Sequence, residues 1–412
     1  MNVIHRRCCG LDVHQKTVAA CVLVCLEDGK KHKEVRTFGT WTQDLERLAD
    51  WLSAQGVTHV AMEATGVYWK PVWAVLAGQF ELLLVNAQHI KAVPGRKTDV
   101  KDSEWIADLL QHGLLRSSFV PPPEIQDLRE LTRYRTQLTQ ERSAVANRIQ
   151  KLLEGANLKL GSVASDVMGI SGQQMLRAII AGETDAKSLA RMAKRRMRSK
   201  IPELCLALDG KVRDHHRDML RRLLRHWTFL GDEIVSLDEM IRGRMRPFEK
   251  AVALWLSIPG INELTAWNLV AEIGVNMDQF PSPQQWASWA GLCPGNNESA
   301  GKRKSGKTRY GAPWLKRALC QAAWAASHTR NTYFSAQYRR LAARRGKKRA
   351  IIAVAHSLLI VIYCTLKQNR TYQELGGNYF DQIHTERHQR YFVKKLEALG
   401  FQVHLVPAEQ AA

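Results

Sequence analysis

Lys97-Thr98-Asp99-Val100-Lys101-Asp102-Ser103-Glu104-Trp105-Ile106-Ala107-Asp108-Leu109-Leu110 is the stretch on which the reading of this chain turns. Ile106, Leu109 and Leu110 recur at helical spacing, so a helix is expected, with either Thr98 or Asp99 as its cap. Asp99 and Asp102 then project from the same side of its first turn. One acid at a helix N-terminus is the ordinary complement of the dipole. Two held together repel unless a cation sits between them.

Matching acids lie upstream. Arg7-Cys8-Cys9-Gly10-Leu11-Asp12-Val13-His14 sets Asp12 in an apolar strand, and Val60-Ala61-Met62-Glu63-Ala64-Thr65-Gly66 sets Glu63 at the end of another. A charge inside an apolar strand is costly unless it is paired or metal-bound. Asp12, Glu63, Asp99 and Asp102 together point to a divalent-metal nuclease core, with Mg²⁺ or Mn²⁺ as the cation.

The strands and helices around these acids alternate. Residues 8–26 read as extended, through Cys8 to Val13 and on through Thr17 to Val24. A turn at Glu27-Asp28-Gly29 leads to a second extended stretch, Glu34 to Phe38. Thr42 to Gln55 is an amphipathic helix, His59 to Met62 a strand, Tyr68 to Ala77 a helix and Phe80 to Val85 a strand. A hairpin followed by alternating helices and strands is α/β. With acids at strand ends and at a helix start, it fits a ribonuclease H-like, RuvC-type fold over residues 1–120.

Pro121-Pro122-Pro123 closes that domain. A long helical middle region, 121–253, follows. Leu128, Leu131, Leu138 and Val145 sit near heptad spacing, which also suits packing between subunits. A second helical region is expected from Lys187 to Ala253. Six of the ten residues from Arg191 to Lys200 are basic, Arg195 and Arg196 among them. The choice there is between a solvated face and phosphate contact.

The mainly α third region, 254–412, opens at Leu256-Ser257-Ile258-Pro259-Gly260-Ile261, which reads as a helix-hairpin-helix or as an ordinary helical hairpin. Gly291 to Lys302 is polar and glycine-rich and reads as a loop. Ala300 to Arg370 holds 17 Lys and Arg and no Asp or Glu. Solubility alone favours mixed signs, so this stretch marks a nucleic-acid surface. Lys302, Arg303, Lys304, Lys307, Arg309, Lys316 and Arg317 are its leading contacts. The whole chain of 412 residues carries a net charge of +21, which implies a polyanionic partner.

Eight cysteines form no Cys-x-x-Cys pair and no zinc spacing, which fits a reducing cytoplasm. The N-terminus has no signal-peptide pattern. The uncharged run from Ala350 to Leu366 is 17 residues, contains His356 and is flanked by basic clusters, so it reads as a buried helix. A spanning helix usually needs about 20 apolar residues.

Three motifs in order, Gly10-Leu11-Asp12-Val13-His14, Met62-Glu63-Ala64-Thr65-Gly66 and Thr98-Asp99-Val100-Lys101-Asp102, resemble the DEDD transposases of the insertion sequence 110 family, recombinases guided by a bridge RNA. The likeness resumes near the C-terminus. There the family's nucleophile is a serine followed by small residues and a basic stretch, before Gly-x-x-x-Leu-Arg. Ser299-Ala300-Gly301-Lys302 and Gly311-Ala312-Pro313-Trp314-Leu315-Lys316-Arg317 match it, with Ala300 where many relatives have glycine. Ser305-Gly306-Lys307 is a second match, so Ser299 and Ser305 both stay open.

The resemblance implies a bacterial enzyme, cytoplasmic and nucleoid-associated, that cleaves and rejoins donor and target DNA. It implies a bridge-type non-coding RNA, a homo-oligomer (dimer or tetramer) and no membrane partner. The residues leave three other readings: a RuvC-like nuclease using metal-activated water, an actin-like sugar kinase and a non-catalytic nucleic-acid-binding protein. The kinase predicts glycine-rich phosphate loops, which the sequence lacks. The binding protein leaves four acids without a role.

Overall fold

The computed structural model describes residues 2–26, 30–64, 66–86, 90, 101–308, 310–383 and 385–405. Asp99, Arg309 and the expected turn at 27–29 lie outside them, as does the side chain of Arg303. The chain divides into two compact units, 1–120 and 121–412.

The first unit is built on five strands: β1 (Arg7–Val13), β2 (Thr17–Cys25), β3 (Lys31–Gly39), β4 (His59–Glu63) and β5 (Glu81–Val85), in the order β3-β2-β1-β4-β5. β1, β2 and β3 run antiparallel, while β4 and β5 lie parallel on the other side of β1. The extended reading of 8–26 is corrected here to two strands joined through 14–16, with the His14 N–H donating to the Thr17 carbonyl at 2.9 Å. Both strands are buried on both faces, so hydrophobic patterning did not mark the break.

One sheet face carries Leu11, Val22 and Met62 against α1 (Thr42–Ala54) and α2 (Trp69–Leu76), through Leu45, Leu48, Leu52, Val72 and Leu76. The other carries Cys8, Cys21 and Ala61 against α3 (Asp102–Gln111), through Trp105, Ile106, Leu109 and Leu110. Each such aliphatic side chain contributes about 1.5–3 kcal/mol on burial. Burial pushes the Cys8 and Cys21 thiols up to about 12, so both stay protonated core residues.

α3 begins later than the sequence suggested. Lys101 is its N-cap, with extended backbone (φ −63, ψ 149), and its carbonyl accepts the Trp105 N–H at 3.0 Å. Neither Thr98 nor Asp99 is the cap, and Asp102 opens the first turn.

In the second unit α4 (Pro123–Gly155) packs along α9 (Asp214–Met245) through Leu138, Val145, Ile149 and Leu153 against Leu220, Leu224, Leu230 and Ile234. The intervening residues fold into α5 (Leu160–Val163), α6 (Ile170–Ala181), α7 (Ala186–Arg191), a 3-10 turn (Arg195–Lys200) and α8 (Ile201–Ala207). The helical region expected from Lys187 to Ala253 is thus a series of short helices leading into α9. Pro202 in the first turn of α8 cannot continue a preceding helix, and the Lys194 N–H is taken by Ser171 Oγ at 3.0 Å.

The remainder is α10 (Glu249–Leu256), α11 (Glu263–Ile273), α12 (Pro283–Trp289), the hairpin β6 (Asn297–Ser299) and β7 (Lys302–Ser305), α13 (Pro313–His328), α14 (Tyr333–Arg345), α15 (Lys347–Gln368), α16 (Tyr379–Ile383) and α17 (Thr385–Glu397). α15 contains the long uncharged run. By length and hydropathy it is the one described helix able to cross a membrane. Here it buries Val354, Leu358, Leu359 and Ile362, and Trp255 Nε1 donates to its Ile362 carbonyl at 3.2 Å. The Pro259–Gly260 turn between α10 and α11 is packed against α13: a Cβ on Gly260 (φ +88) lies 2.4 Å from the Ala322 carbonyl oxygen. That contact favours an ordinary helical hairpin.

Candidate active site

Strand register brings two of the four acids, Asp12 and Glu63, to one end of the first unit's sheet, and the packing of α3 on β1 brings Asp102 to the same face. Leu11 pairs with Met62 in the parallel β1–β4 ladder, so Asp12 and Glu63 are the next residues along adjacent strands. Side chains alternate along a strand. Leu11 and Met62 face α1 and α2, while Cys8 and Ala61 face α3. Asp12 and Glu63 therefore project on the α3 side. Asp102 begins α3 itself, next to Ser103, whose backbone lies on Gly10.

Gly10 is the residue that permits this approach. A Cβ there meets the Ser103 carbonyl oxygen at 2.3 Å and the Ala107 nitrogen at 2.4 Å. The N-terminal half of α3 thus rests directly on β1, two residues before Asp12. Lys33 on β3 adds an ion pair to Glu104 in the first turn of α3, at 2.8 Å, and that bond raises the lysine pKa. Asp12 is itself paired with His14 Nε2 at 3.1 Å.

Among the described residues no three His, Cys, Asp or Glu side chains are grouped as metal ligands. Asp12, Glu63 and Asp102 share a face and an end of the sheet without forming such a cluster, and Asp99 lies outside the described residues. As a donor set, acids at two strand ends and a helix start offer oxygen ligands only, which suits a hard divalent cation.

The expected loop around Ser299 is a β-hairpin, and this corrects the sequence reading. Ser299 pairs with Lys302, Glu298 with residue 303 and Asn297 with Ser305. Only Ala300 and Gly301 lie between the strands, at φ 50 and φ 72. Positive φ at both central residues is the type I′ turn, whose twist matches that of the flanking strands. The polar Asn-Glu-Ser and Lys-Arg-Lys-Ser segments lack the β-branched and aromatic residues that announce a strand.

The two serines differ in this hairpin. Ser299 is exposed beside the turn. Ser305 is half-buried, and its Oγ accepts the Lys307 N–H at 3.2 Å, which makes it a turn residue.

Lys302, Lys304 and Lys307 are exposed around the hairpin. Lys316 is half-buried and donates to Thr308 Oγ1 at 2.6 Å, tying the hairpin's exit to α13. Arg317 is exposed, with its guanidinium 5.1 Å from the Trp314 ring centroid. Arg195 and Arg196 are exposed on the 3-10 turn, and Arg195 has φ 51. Gly311 lets the chain enter α13 against the end of α12, because a Cβ there lies 2.4 Å from the Gly291 nitrogen.

Sequence reasoning missed the buried charge beneath this region. Glu272, 3% exposed, receives Arg133 Nε and Nη2 at 2.7 and 2.8 Å. Arg129 donates to the Ala271 and Glu272 carbonyls at the C-terminus of α11, at 3.1 and 2.7 Å, and its burial lowers its pKa. Arg133 also lies 5.5 Å from the Trp314 ring centroid. The available signal was Glu272 itself, a lone acid within Leu269-Val270-Ala271-Glu272-Ile273.

Two family descriptions match this chain. A DEDD transposase description of the IS110 family covers residues 9–158, and a second, for transposases of the IS116/IS110/IS902 family, covers residues 252–339. The chain belongs to the insertion sequence 110 family of transposases. The first match spans all four acids and the second spans Ser299. It is a DNA transposase, an enzyme of recombination.

Among relatives, the chain is 28% identical over 302 residues to a transposase for insertion sequence element IS1111A from Coxiella burnetii, covering 70% of this chain and 72% of that protein. It is 25% identical to a probable family 20 transposase of Pseudomonas aeruginosa, over 64% of this chain and 70% of the relative. A pilin gene-inverting protein of Moraxella bovis is 30% identical over 37% of this chain and 48% of its own length.

Proposed function

We propose that this transposase cleaves and rejoins DNA, with Asp12, Glu63, Asp99 and Asp102 holding Mg²⁺ or Mn²⁺ and Ser299 as the nucleophile. In this reading residues 1–120 are a ribonuclease H-like, RuvC-type domain, 121–253 a helical spacer and 254–412 the serine-bearing domain. The observation that carries it is the shared sheet end of Asp12, Glu63 and Asp102, set by the β1–β4 register and the seating of α3 on Gly10. The strand order β3-β2-β1-β4-β5 supports the ribonuclease H-like assignment.

Asp12, Glu63, Asp99 and Asp102 would hold a divalent cation, which would supply charge neutralisation at the scissile phosphate and the leaving oxygen. Ser299 Oγ attacks phosphorus, and the bond from phosphorus to one deoxyribose oxygen breaks. The serine proton passes to solvent water, and the leaving deoxyribose oxygen takes one from solvent. The phosphoserine bond conserves the energy needed for rejoining, when a second strand's hydroxyl displaces Ser299. Lys302, Arg303, Lys304, Lys307, Arg309, Lys316, Arg317, Arg195 and Arg196 hold nucleic acid. The partners are donor DNA, target DNA and a bridge-type RNA, in a homo-oligomer working at the bacterial nucleoid.

Trapping the reaction in denaturant tests the chemistry. DNA bound covalently to protein is expected, and Ser299→Ala loses it while Ser305→Ala keeps it. Asp102→Asn lowers cleavage by on the order of 10³-fold, the scale of a lost Lewis-acid contact, with the fold intact. Efficient cleavage with no adduct makes the protein a water-using nuclease instead. Sequencing the nucleic acid that co-purifies tests the guide: a discrete RNA encoded beside the gene is the expected result.

A further inference from the structure

We propose that Lys302 is a catalytic residue whose ammonium binds the same phosphate that Ser299 attacks. This rests on Ser299 being the nucleophile. The two residues are direct cross-strand partners, closing a two-residue turn. Opposed residues in an antiparallel pair project from the same side of the ribbon, with Cβ atoms about 4.5–5.5 Å apart. The lysine stem is long enough to cross that gap, so a phosphate seated on Ser299 Oγ falls within reach of the ammonium.

Several features make the pairing specific. The positive φ values of Ala300 and Gly301 fix the turn type, so the Ser299–Lys302 register follows from local backbone and does not depend on remote packing. Both side chains are exposed, as a residue that must meet a large substrate requires. Among the described residues no acid is ion-paired with Lys302. Ser305 has no equivalent arrangement: its cross-strand partner is Asn297, and its hydroxyl is committed to the Lys307 N–H.

The chemistry needs such a charge. As the bond from Ser299 Oγ to phosphorus forms and the bond to the deoxyribose oxygen breaks, negative charge gathers on the non-bridging oxygens. A cation fixed beside the nucleophile stabilises that charge more than it stabilises the bound ground state. Lys302 acts by charge alone and takes no part in moving the serine proton, which passes to solvent.

The test uses the full-length protein and a plasmid carrying its gene with native flanking sequence, quenched in denaturant and assayed for the rate of protein–DNA adduct formation. Lys302→Met is expected to slow adduct formation about 10²-fold, the effect of removing one charge-stabilising donor. Binding of the same DNA at low salt should change by less than about threefold, since one phosphate contact among many is lost. Lys302→Arg keeps the charge and should recover most of the rate. Loss of the adduct in Ser299→Ala together with an unchanged rate in Lys302→Met overturns the role of Lys302 alone. Persistence of the adduct in Ser299→Ala overturns the nucleophile, and this inference with it. A Lys302→Met variant that loses rate and binding in equal proportion shows a binding residue only, and also overturns the proposal.

Discussion

The two regions proposed to carry this protein's chemistry are fixed in opposite ways. Asp12, Glu63 and Asp102 take their places from long-range packing: a parallel strand register, a helix backbone laid on Gly10 and an ion pair from Lys33 to Glu104. Ser299 takes its place from four consecutive residues and a turn type. The first arrangement fails when a core contact is altered, and the second when a single φ is altered. In the sequence, acids in apolar strands stand out, while a turn in a polar basic segment does not.

The largest stability effect is expected from the buried charge beside Trp314 of α13. Glu272 is 3% exposed and balances Arg133 through two hydrogen bonds. Glu272→Ala removes the partner of Arg133, whose side chain is 35% exposed, and of Arg129, 19% exposed, at a cost of about 3 kcal/mol, the low end for a broken buried pair because solvent screens part of the charge. Chemical denaturation should show that loss in the second unit. A change below about 1 kcal/mol means that Arg133 swings to solvent, and this part of the second unit then rests on apolar packing alone.

Gly10→Ala comes next and attacks the packing-defined region. The added methyl meets backbone atoms of Ser103 and Ala107, which cannot swing aside as a side chain can. The helix must lift from β1, at a cost of about 1–3 kcal/mol. Asp102 moves with it, so cleavage should fall even below the melting transition. Full cleavage by a destabilised Gly10→Ala protein breaks the claim that helix seating sets the acid geometry.

How much was legible follows from the same contrast. β4, β5 and the first two helices were read from their apolar faces to within a few residues, while β1 and β2 were read as one stretch. The break between β1 and β2 was not visible, since both are buried on both sides. The role of Gly10 depends on a helix more than ninety residues away, and nothing in Gly10-Leu11-Asp12 announces it. The basic residues from Arg191 to Lys200 lie within the expected helical region, but as the end of α7 and a 3-10 turn, because Pro202 and the Ser171 contact decide the backbone there.

A salt titration sharpens the comparison from the side of charge. Residues 300–370 carry no acid, so affinity for duplex DNA should fall with salt at a log–log slope of about −0.9 per phosphate neutralised. Reversing Lys302, Arg303 and Lys304 to Glu should weaken binding and flatten that slope. Gly10→Ala, which leaves the basic surface alone, should leave the slope unchanged. Equal slopes in all three proteins mean that the hairpin does not touch phosphate.

The smallest effect is the most local. Ala300 holds φ 50, in the left-handed region where a Cβ is disfavoured by about 1–2 kcal/mol. Glycine removes that penalty but enlarges the unfolded ensemble, which returns about 0.4–1 kcal/mol. Ala300→Gly should therefore tighten the hairpin by a net of up to about 1 kcal/mol. A two-stranded ribbon is marginal by itself, so the gain belongs to local opening and not to global unfolding. Amide exchange across β6 and β7 should slow up to about fivefold while the melting temperature stays put. Gly301→Ala places a Cβ at φ 72 and should speed the same amides. The opposite signs at adjacent positions are the signature of a type I′ turn. If both substitutions loosen the hairpin, Ala300 is held by contacts of its methyl group, and Ser299 is positioned by packing after all, as the acids are.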